Sequence, residues 1–599
     1  MNKIYKVVKN RQGNSRVVSE LAKGKGKSKK LSLLVKTALT GALSLCLAGN
    51  ALAEIRVDNT QDAVISNSGN RVEDGKFTIR TSDEDIIVNN SGNLTSTGND
   101  SSPLFYYLKG GKVVDITNTG NLETNNNWSR GIFVQAQYGI QDREIKINNQ
   151  GNITINGNAS GGIVASTASD QITNPLQWKT KTSVNITNSG DININSDAPI
   201  LDKVNEGRYP VGIIGVALSG NEGDITINNS GNINSPVHAI RVWQQGVGNI
   251  NIDNSGDLTI TDSTTNWGSG IYATTSIMEN TNVYAEAVGD INIKNSGKIS
   301  SNNAKNIELI RTELSAKKDG SGKATGNINI DNQGQLVAKG ENTKGIYALM
   351  RGSADNTGTI TINNNGLVDT AGNDAKAIVV ESRDGDININ LDSNSNIIGG
   401  GGKDGVAIDM TSAAHRRDLT KEQPALQTVN NKGVISATND RTIVAHRSRT
   451  NGGKTIINND GDINGFVDLS ATKNINTTSD ENQPNYQNVD SNGEVTFNNN
   501  GTWNIKDSTG LSSGGQVGTV INVIGTNTQN GLINNTGTIQ IVDPEINSAV
   551  LKNSDVINSG VIDLGKNSAD TTLTINGNYT GENGQLNIYT DVENGKSDK

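Results

Sequence analysis

Cysteine is all but missing from this sequence: Cys46 is the only one in 599 residues, and it lies in a segment whose removal is expected. The mature chain then has no thiol, no disulfide and no thiolate-held metal. Histidine is scarce too, confined to His238, His415 and His446, which leaves few bases for nucleophilic catalysis. With five Phe, four Met and aromatics at 4%, an ordinary core of large interlocking side chains would be hard to build. What the chain does have is 68 Gly, with Asn, Ser and Thr alternating with Ile, Val and Leu. That alternation points to many short strands separated by tight turns rather than to disorder.

The first 30 residues hold ten Lys/Arg. An apolar run, LSLLVKTALTGALSLCLAG, follows and ends in NALAEI, an A-x-A site that predicts cleavage after Ala53. Leu45, directly before Cys46, argues against a lipoprotein site. Removing residues 1–53 leaves 41 basic against 60 acidic residues. Such a surface repels phosphate backbones, so nucleic acid is disfavoured as a partner. MNKIYKVV followed by VVSELAKGKGK resembles the extended signal peptide region of type V secretion proteins, the autotransporters and their relatives. The resemblance implies export by the Sec machinery and a large secreted passenger.

Beyond the leader one unit recurs: an apolar residue, any residue, Asn, any residue, Gly. Its 15 asparagines are Asn67, Asn90, Asn118, Asn149, Asn188, Asn229, Asn254, Asn295, Asn332, Asn364, Asn431, Asn459, Asn499, Asn535 and Asn558. The gap between Asn364 and Asn431 is double, and Leu391–Ile397 reads there as a degraded copy with Ser393 for Asn and Ser395 for Gly. The mean period is near 33 residues, which demands a repeat architecture. Alternation of period two puts Ile225, Ile227 and Asn229 on one inward face, whereas a helical solenoid would need a period of 3.6.

Three short strands per period describe one coil of a parallel β-helix. About 16 coils at roughly 4.8 Å each make a rod of about 75 Å. The inward asparagines, Asn149, Asn188, Asn229, Asn254, Asn295, Asn332 and Asn364 among them, are expected to form a structural ladder of stacked amides. The glycine is expected to turn the corner by adopting positive φ. Longer stretches read as side loops: 99–113, 197–210, 412–428 and 470–493. Phe105, Tyr106 and Tyr107 form the only tight aromatic cluster, read as packing over the end of the rod rather than as a ligand contact.

No motif for chemistry stands out. GLSSG (Gly510–Gly514) matches G-x-S-x-G without the strand-to-helix elbow that exposes a nucleophile. GGGGKDGVA (Gly399–Ala407) fits a single calcium nonapeptide where calcium arrays need tandem copies. The same run lacks the strand-then-helix context of a dinucleotide site, and GGKT (Gly452–Thr455) lacks the upstream Gly of a phosphate loop. Aligning second strands on Ile378, Ile408 and Ile443 brings Glu381, Asp409 and His446 onto adjacent coils, and Arg351 and Arg383 share another register. Glu381 and His446, two coils apart, are about 10 Å from each other by the stacking distance. That is too far for direct proton transfer, so a solvated charged face is favoured. No catalytic, cofactor-binding or metal residue is assigned.

Residues 573–599, with Gly577, Tyr579, Gly581, Gly584 and Leu586, resemble the segment that closes autotransporter passengers ahead of their outer-membrane barrel. No alternating membrane strands follow, so the expectation is either a truncated reading frame or a passenger encoded apart from its barrel. The sequence therefore reads as a leader over 1–53, an all-β, right-handed parallel β-helix with side loops over 54–572, and the start of a closing segment over 573–599. The right hand comes from the resemblance. The expected function is a non-catalytic surface adhesin or self-association module, exported to the cell surface, outer membrane or medium, or to the periplasm if no barrel is supplied. Its expected partners are ligands on host or neighbouring cells, or itself, and it needs no cofactor. The alternatives are a polysaccharide-acting enzyme using the Glu381/Asp409/His446 face and a non-functional truncated passenger.

Overall fold

The computed structural model describes residues 63–599 apart from 74–77, 82–83, 100–101, 109, 137–141, 159, 168–180, 197–209, 218–220, 262–266, 277–285, 302–303, 316–322, 352–357, 384, 414–425, 449–452, 472–492, 527 and 566–568. It also gives the backbone of short strands at Tyr5–Lys9, Ser15–Ser19, Leu43–Leu47 and Val57–Asn59. Among the described residues there is no α-helix.

One coil shows how sequence becomes architecture. Ile225–Asn229 alternates buried and open positions, so Ile225, Ile227 and Asn229 face inward. A tight corner leads to the short strand Ile233–Ser235 and then to the long strand His238–Gln244. The chain next enters Ile250–Asn254, which pairs in parallel with Ile225–Asn229, each residue opposite its counterpart. Seventeen such first strands, from Ala63–Asn67 to Tyr579–Gly581, stack in one sheet. The short and long strands stack in the same way on the remaining walls, and the whole is a parallel β-helix.

Like residues therefore lie on like residues. Val184, Ile225, Ile250, Ile291, Ile328 and Ile360 occupy one inward column, every one fully buried. Each such burial is worth about 1.5–3 kcal/mol. Large rings enter the core at few places, Tyr106 toward its N-terminal end and Phe497 and Trp503 toward its C-terminal end among them. Trp503 lies 4.8 Å from the Phe497 ring and donates its indole N–H to the Gly465 carbonyl at 3.0 Å.

The corner differs from the sequence expectation in its cause. The glycine of the repeat is not at positive φ in any copy among the described residues. It is needed for close approach: a Cβ on Gly256 would sit 2.1 Å from the Gly231 carbonyl oxygen, and one on Gly297 2.2 Å from that of Gly256. The corners pack backbone on backbone, so a side chain on the glycine of a corner of this length collides with the coil before it.

The degraded copy is also arranged differently. Leu391, not Ser393, stands in the asparagine column, opposite Asn364 and Asn431, and Ser393 is exposed. The corner is two residues longer, which carries Ser395 into the glycine place: its carbonyl lies beneath Gly433. Its hydroxyl accepts from Asn364 Nδ2 at 2.6 Å.

At the far end, Tyr579–Gly581 and Gln585–Asn587 stack on Ser554–Asn558 and Val561–Asp563. A small antiparallel pair, Thr590–Asp591 with Lys596–Ser597, follows. Leu586 shares a column with the buried Ile562, yet it is 55% exposed.

Candidate binding face

The asparagines named from the sequence line a continuous internal column. Asn149 Nδ2 donates to Asn188 Oδ1 at 2.7 Å, Asn188 to Asn229 at 2.8 Å, and Asn229 to Asn254 at 2.8 Å. The column continues through Asn295 and Asn332 to Asn364. The second amide proton goes to the carbonyl of the corner glycine, as from Asn229 to Gly231 at 2.8 Å. Both donors of each amide are spent inside the rod, so this column holds coils together and faces no ligand.

Chemistry reaches the outside one position further along the long strands. Where Ile240, Ile271, Ile310, Ile346, Ile378, Ile408 and Ile443 point inward, their successors point outward in one column. These are Arg241, Tyr272, Arg311, Tyr347, Val379, Asp409 and Val444. Two positions beyond runs a second column: Trp243, Thr274, Glu313, Leu349, Glu381, Thr411 and His446.

Arg311 is the centre of this stripe. Its guanidinium lies 4.9 Å from the Tyr272 ring and 5.6 Å from the Tyr347 ring, on the coils before and after. It pairs with Glu308 at 2.8 Å and Glu313 at 3.2 Å. Lys344 joins Glu308 at 2.7 Å and sits 4.6 Å from the Tyr347 ring. Toward the N-terminus Arg241 stands 5.5 Å from Tyr272 and 5.9 Å from Trp267, and His238 meets Trp267 edge-on at 4.6 Å. Trp243 donates its indole N–H to Ser276 Oγ at 2.8 Å. Cation–aromatic contacts of this kind add about 0.5–2 kcal/mol each and fix ring orientation.

Burial opposes the charge on Arg311, but Tyr272, Glu308 and Glu313 outweigh it and raise its pKa. Burial, and then Glu381, raises the pKa of Tyr347, which stays a neutral phenol and donates to Glu381 Oε1 at 3.5 Å. His238 is fully buried, and burial with Arg241 and Arg311 nearby lowers its pKa well below the usual histidine value, so the ring is neutral.

The alignment on Ile378, Ile408 and Ile443 holds in the structure, but its three candidates do not form one cluster. Glu381 lies opposite Thr411, which lies opposite His446. Asp409 stands in the neighbouring column, opposite Val379 and Val444. Glu381 is taken by Arg351 at 3.3 Å and by Tyr347. Asp409 is taken by Lys376 at 2.6 Å, with His446 Nε2 at 3.5 Å. Each carboxylate is thus bound to its own cation. His415 lies outside the described residues.

Phe105, Tyr106 and Tyr107 are a correction. They belong to a regular strand, Leu104–Leu108, inside the stretch read as a loop over 99–113. Tyr106 is part of the core, while Phe105 stacks on Phe133 at 4.7 Å and meets Tyr107 edge-on at 4.8 Å. Val164, Val211 and Ile214 extend this outer apolar cluster coil by coil. The rings pack along the side of the rod, at the head of the column that later carries Arg241 and Tyr272, and not over its end. Most of 197–210, 412–428 and 470–493 lies outside the described residues.

Two of the remaining motifs contain turns, while Lys454 and Thr455 of GGKT begin the strand Lys454–Asn459. Gly510–Gly514 wraps a 3-10 turn in which Ser512 Oγ donates to Asp507 Oδ2 at 2.6 Å. In Gly399–Ala407, Asp404 N donates to Asp374 Oδ1 at 2.9 Å. Among the described residues no group of three or more His, Cys, Asp or Glu could hold a metal ion.

Sequence reasoning missed the Arg241–Tyr272–Arg311–Tyr347 column because only three strands were aligned. Extending the isoleucine alignment to Ile240, Ile271, Ile310 and Ile346 would have found it.

Residues 1–49 match the family of the extended signal peptide of the type V secretion system. Searches of curated proteins and of solved structures give no match. The chain thus carries the leader of type V secreted proteins, and a long stack of parallel coils follows it.

Proposed function

We propose that the passenger is a non-catalytic surface-binding module, an adhesin, that engages ligands on host or neighbouring cells through its lateral stripe. The observation that carries this reading is the Tyr272–Arg311–Tyr347 stack. It is a largely buried, partly exposed array of aromatic faces whose charges are fixed by Glu308, Glu313 and Lys344. Such a surface recognises by shape and hydrogen bonding. The stripe runs over seven coils with no deep pocket required, which suits many weak contacts acting together.

Type V export supplies Sec passage across the inner membrane and calls for an outer-membrane barrel; display on the cell surface belongs to the proposal. A second reading, a polysaccharide-acting enzyme, draws on the contact between His446 and Asp409. Cells displaying the passenger are expected to clump or to bind a target surface. Tyr272→Ala/Tyr347→Ala should weaken that binding at least fivefold, and Glu381→Ala/Asp409→Ala/His446→Ala should leave it unchanged. Glycan cleavage by the wild type that the triple variant loses would reverse the assignment.

A further inference from the structure

The first-strand sheet has an outer face as well as an inner one, and over six coils its two central columns carry amides and hydroxyls at every position but Ile456 and Leu532. Asn390 Nδ2 donates to Asn363 Oδ1 at 2.9 Å. Asn430 donates to Asn390, Asn458 to Asn430, Asn498 to Asn458 and Asn534 to Asn498, each at 2.8 Å. This outer ladder runs against the inner one: its amides donate toward the N-terminal coil, whereas Asn431 donates forward to Asn459. Beside it lies the column Thr361, Asn388, Thr428, Ile456, Thr496 and Leu532.

The inner amides spend both N–H groups within the rod. Those of the outer ladder spend one on the neighbouring rung, which leaves one donor and one acceptor site per rung directed at solvent. Charge sets this region apart. Upstream the same two columns carry Asp115, Lys146, Asp253, Lys294 and Asp331. From Thr361 to Asn534 they carry none, although the chain as a whole is acidic. Charges return only at the strand ends, at Asp386, Lys454 and Glu494 on one side and Asp392, Lys432 and Asp460 on the other.

We propose that this outer amide ladder is a docking strip for an extended, uncharged polysaccharide chain. An array without charge selects a neutral partner, and paired donors and acceptors on every rung suit a polyhydroxylated one. A constant rung spacing of about 4.8 Å suits a polymer. Size argues against a protein occupant. The strip is about 25 Å long and about 7 Å wide, far below the roughly 800 Å² that each partner gives to a stable protein interface. The strip lies on a different sheet from the aromatic stripe, so the two assignments stand or fall separately.

The test uses the purified full chain in a depletion assay. The neutral polymers are insoluble β-1,4-glucan, β-1,3-glucan, α-1,6-glucan and β-1,4-mannan, with polygalacturonate as the charged comparison. Retention on at least one neutral polymer is expected, equal at low and high salt, with none on polygalacturonate. Asn430→Ala/Asn458→Ala/Asn498→Ala should reduce retention at least fivefold. Thr428→Lys/Thr496→Lys keeps the ladder but lays two long charged side chains over the strip, and should reduce it equally. Tyr272→Ala/Tyr347→Ala should leave it intact. The proposal is overturned by no retention on any neutral polymer, or by equal retention on polygalacturonate. It is also overturned if the lysine variant, folded by circular dichroism, still binds, or if sedimentation shows a dimer that the same variant abolishes, which would make a second copy the occupant.

Discussion

A single backbone contact decides the identity of the corner residue. With Gly256 under the Gly231 carbonyl there is no room for a methyl group, and Gly256→Ala should destabilise the rod by about 1–3 kcal/mol, the range for overpacking. A lowered urea midpoint would show this, and an unchanged midpoint would mean the corners can separate at little cost. The asparagine beside it acts through polar satisfaction. Asn254→Ala would strand an Asn229 N–H and an Asn295 acceptor in the interior, costing about 1–3 kcal/mol. Asn228→Ala, on the exposed side of the preceding coil's strand Ile225–Asn229, should stay within about 0.5 kcal/mol. The Leu391 coil shows what tolerance requires: the asparagine can go only where a longer corner brings Ser395 Oγ to the amide left behind.

The strands were legible in the sequence because their period is two and their inward residues are alike, and so was the inward side of Asn229. The cause of the glycine was not, because a collision between residues 25 positions apart leaves no local trace. The Phe105 strand was hidden for a different reason: LFYYL lacks the isoleucine pattern of its neighbours, so its ring-bearing coil passed for a loop. The binding stripe lies one residue past Ile240, Ile271, Ile310 and Ile346, outside the three strands aligned from the sequence, and shows only when those strands are stacked as well. Within it His238 gives a pH signature. Its pKa is low in the native state and ordinary, about 6.5, in the unfolded one, so below that value the unfolded chain takes up a proton that the native chain refuses. Stability is full above pH 6.5 and falls as pH falls, by up to about 1.4 kcal/mol per unit from this group. Denaturation midpoints at pH 7 and pH 5 should therefore drop less in His238→Phe than in the wild type, and equal drops would remove His238 from the account.

Over the whole rod, protection is set by how many coils cover a given one. Ile250–Asn254 has a strand on either side, whereas Tyr579–Gly581 and Gln585–Asn587 stack on one side, and Leu586 and Ile588 are more than half exposed. In the 599-residue chain, amide exchange should be fastest in these last strands and slowest in the middle coils, since local opening there uncovers little apolar surface. Uniform exchange along the rod would instead indicate a single cooperative unit.

The stacking register also makes length an adjustable quantity. Val184 faces Ile225, and Ile225 faces Ile250, by the same pairing. Excising residues 225–249 would bring Asn188 against Asn254 and Gly190 against Gly256, joining two corners that already have the same shape. Such a deletion should fold into a rod shorter by one step of about 4.8 Å, with Ile214 now beside Tyr272. A chain assembled this way can gain or lose reach in whole steps without redesigning what remains, much as a ladder is cut between rungs.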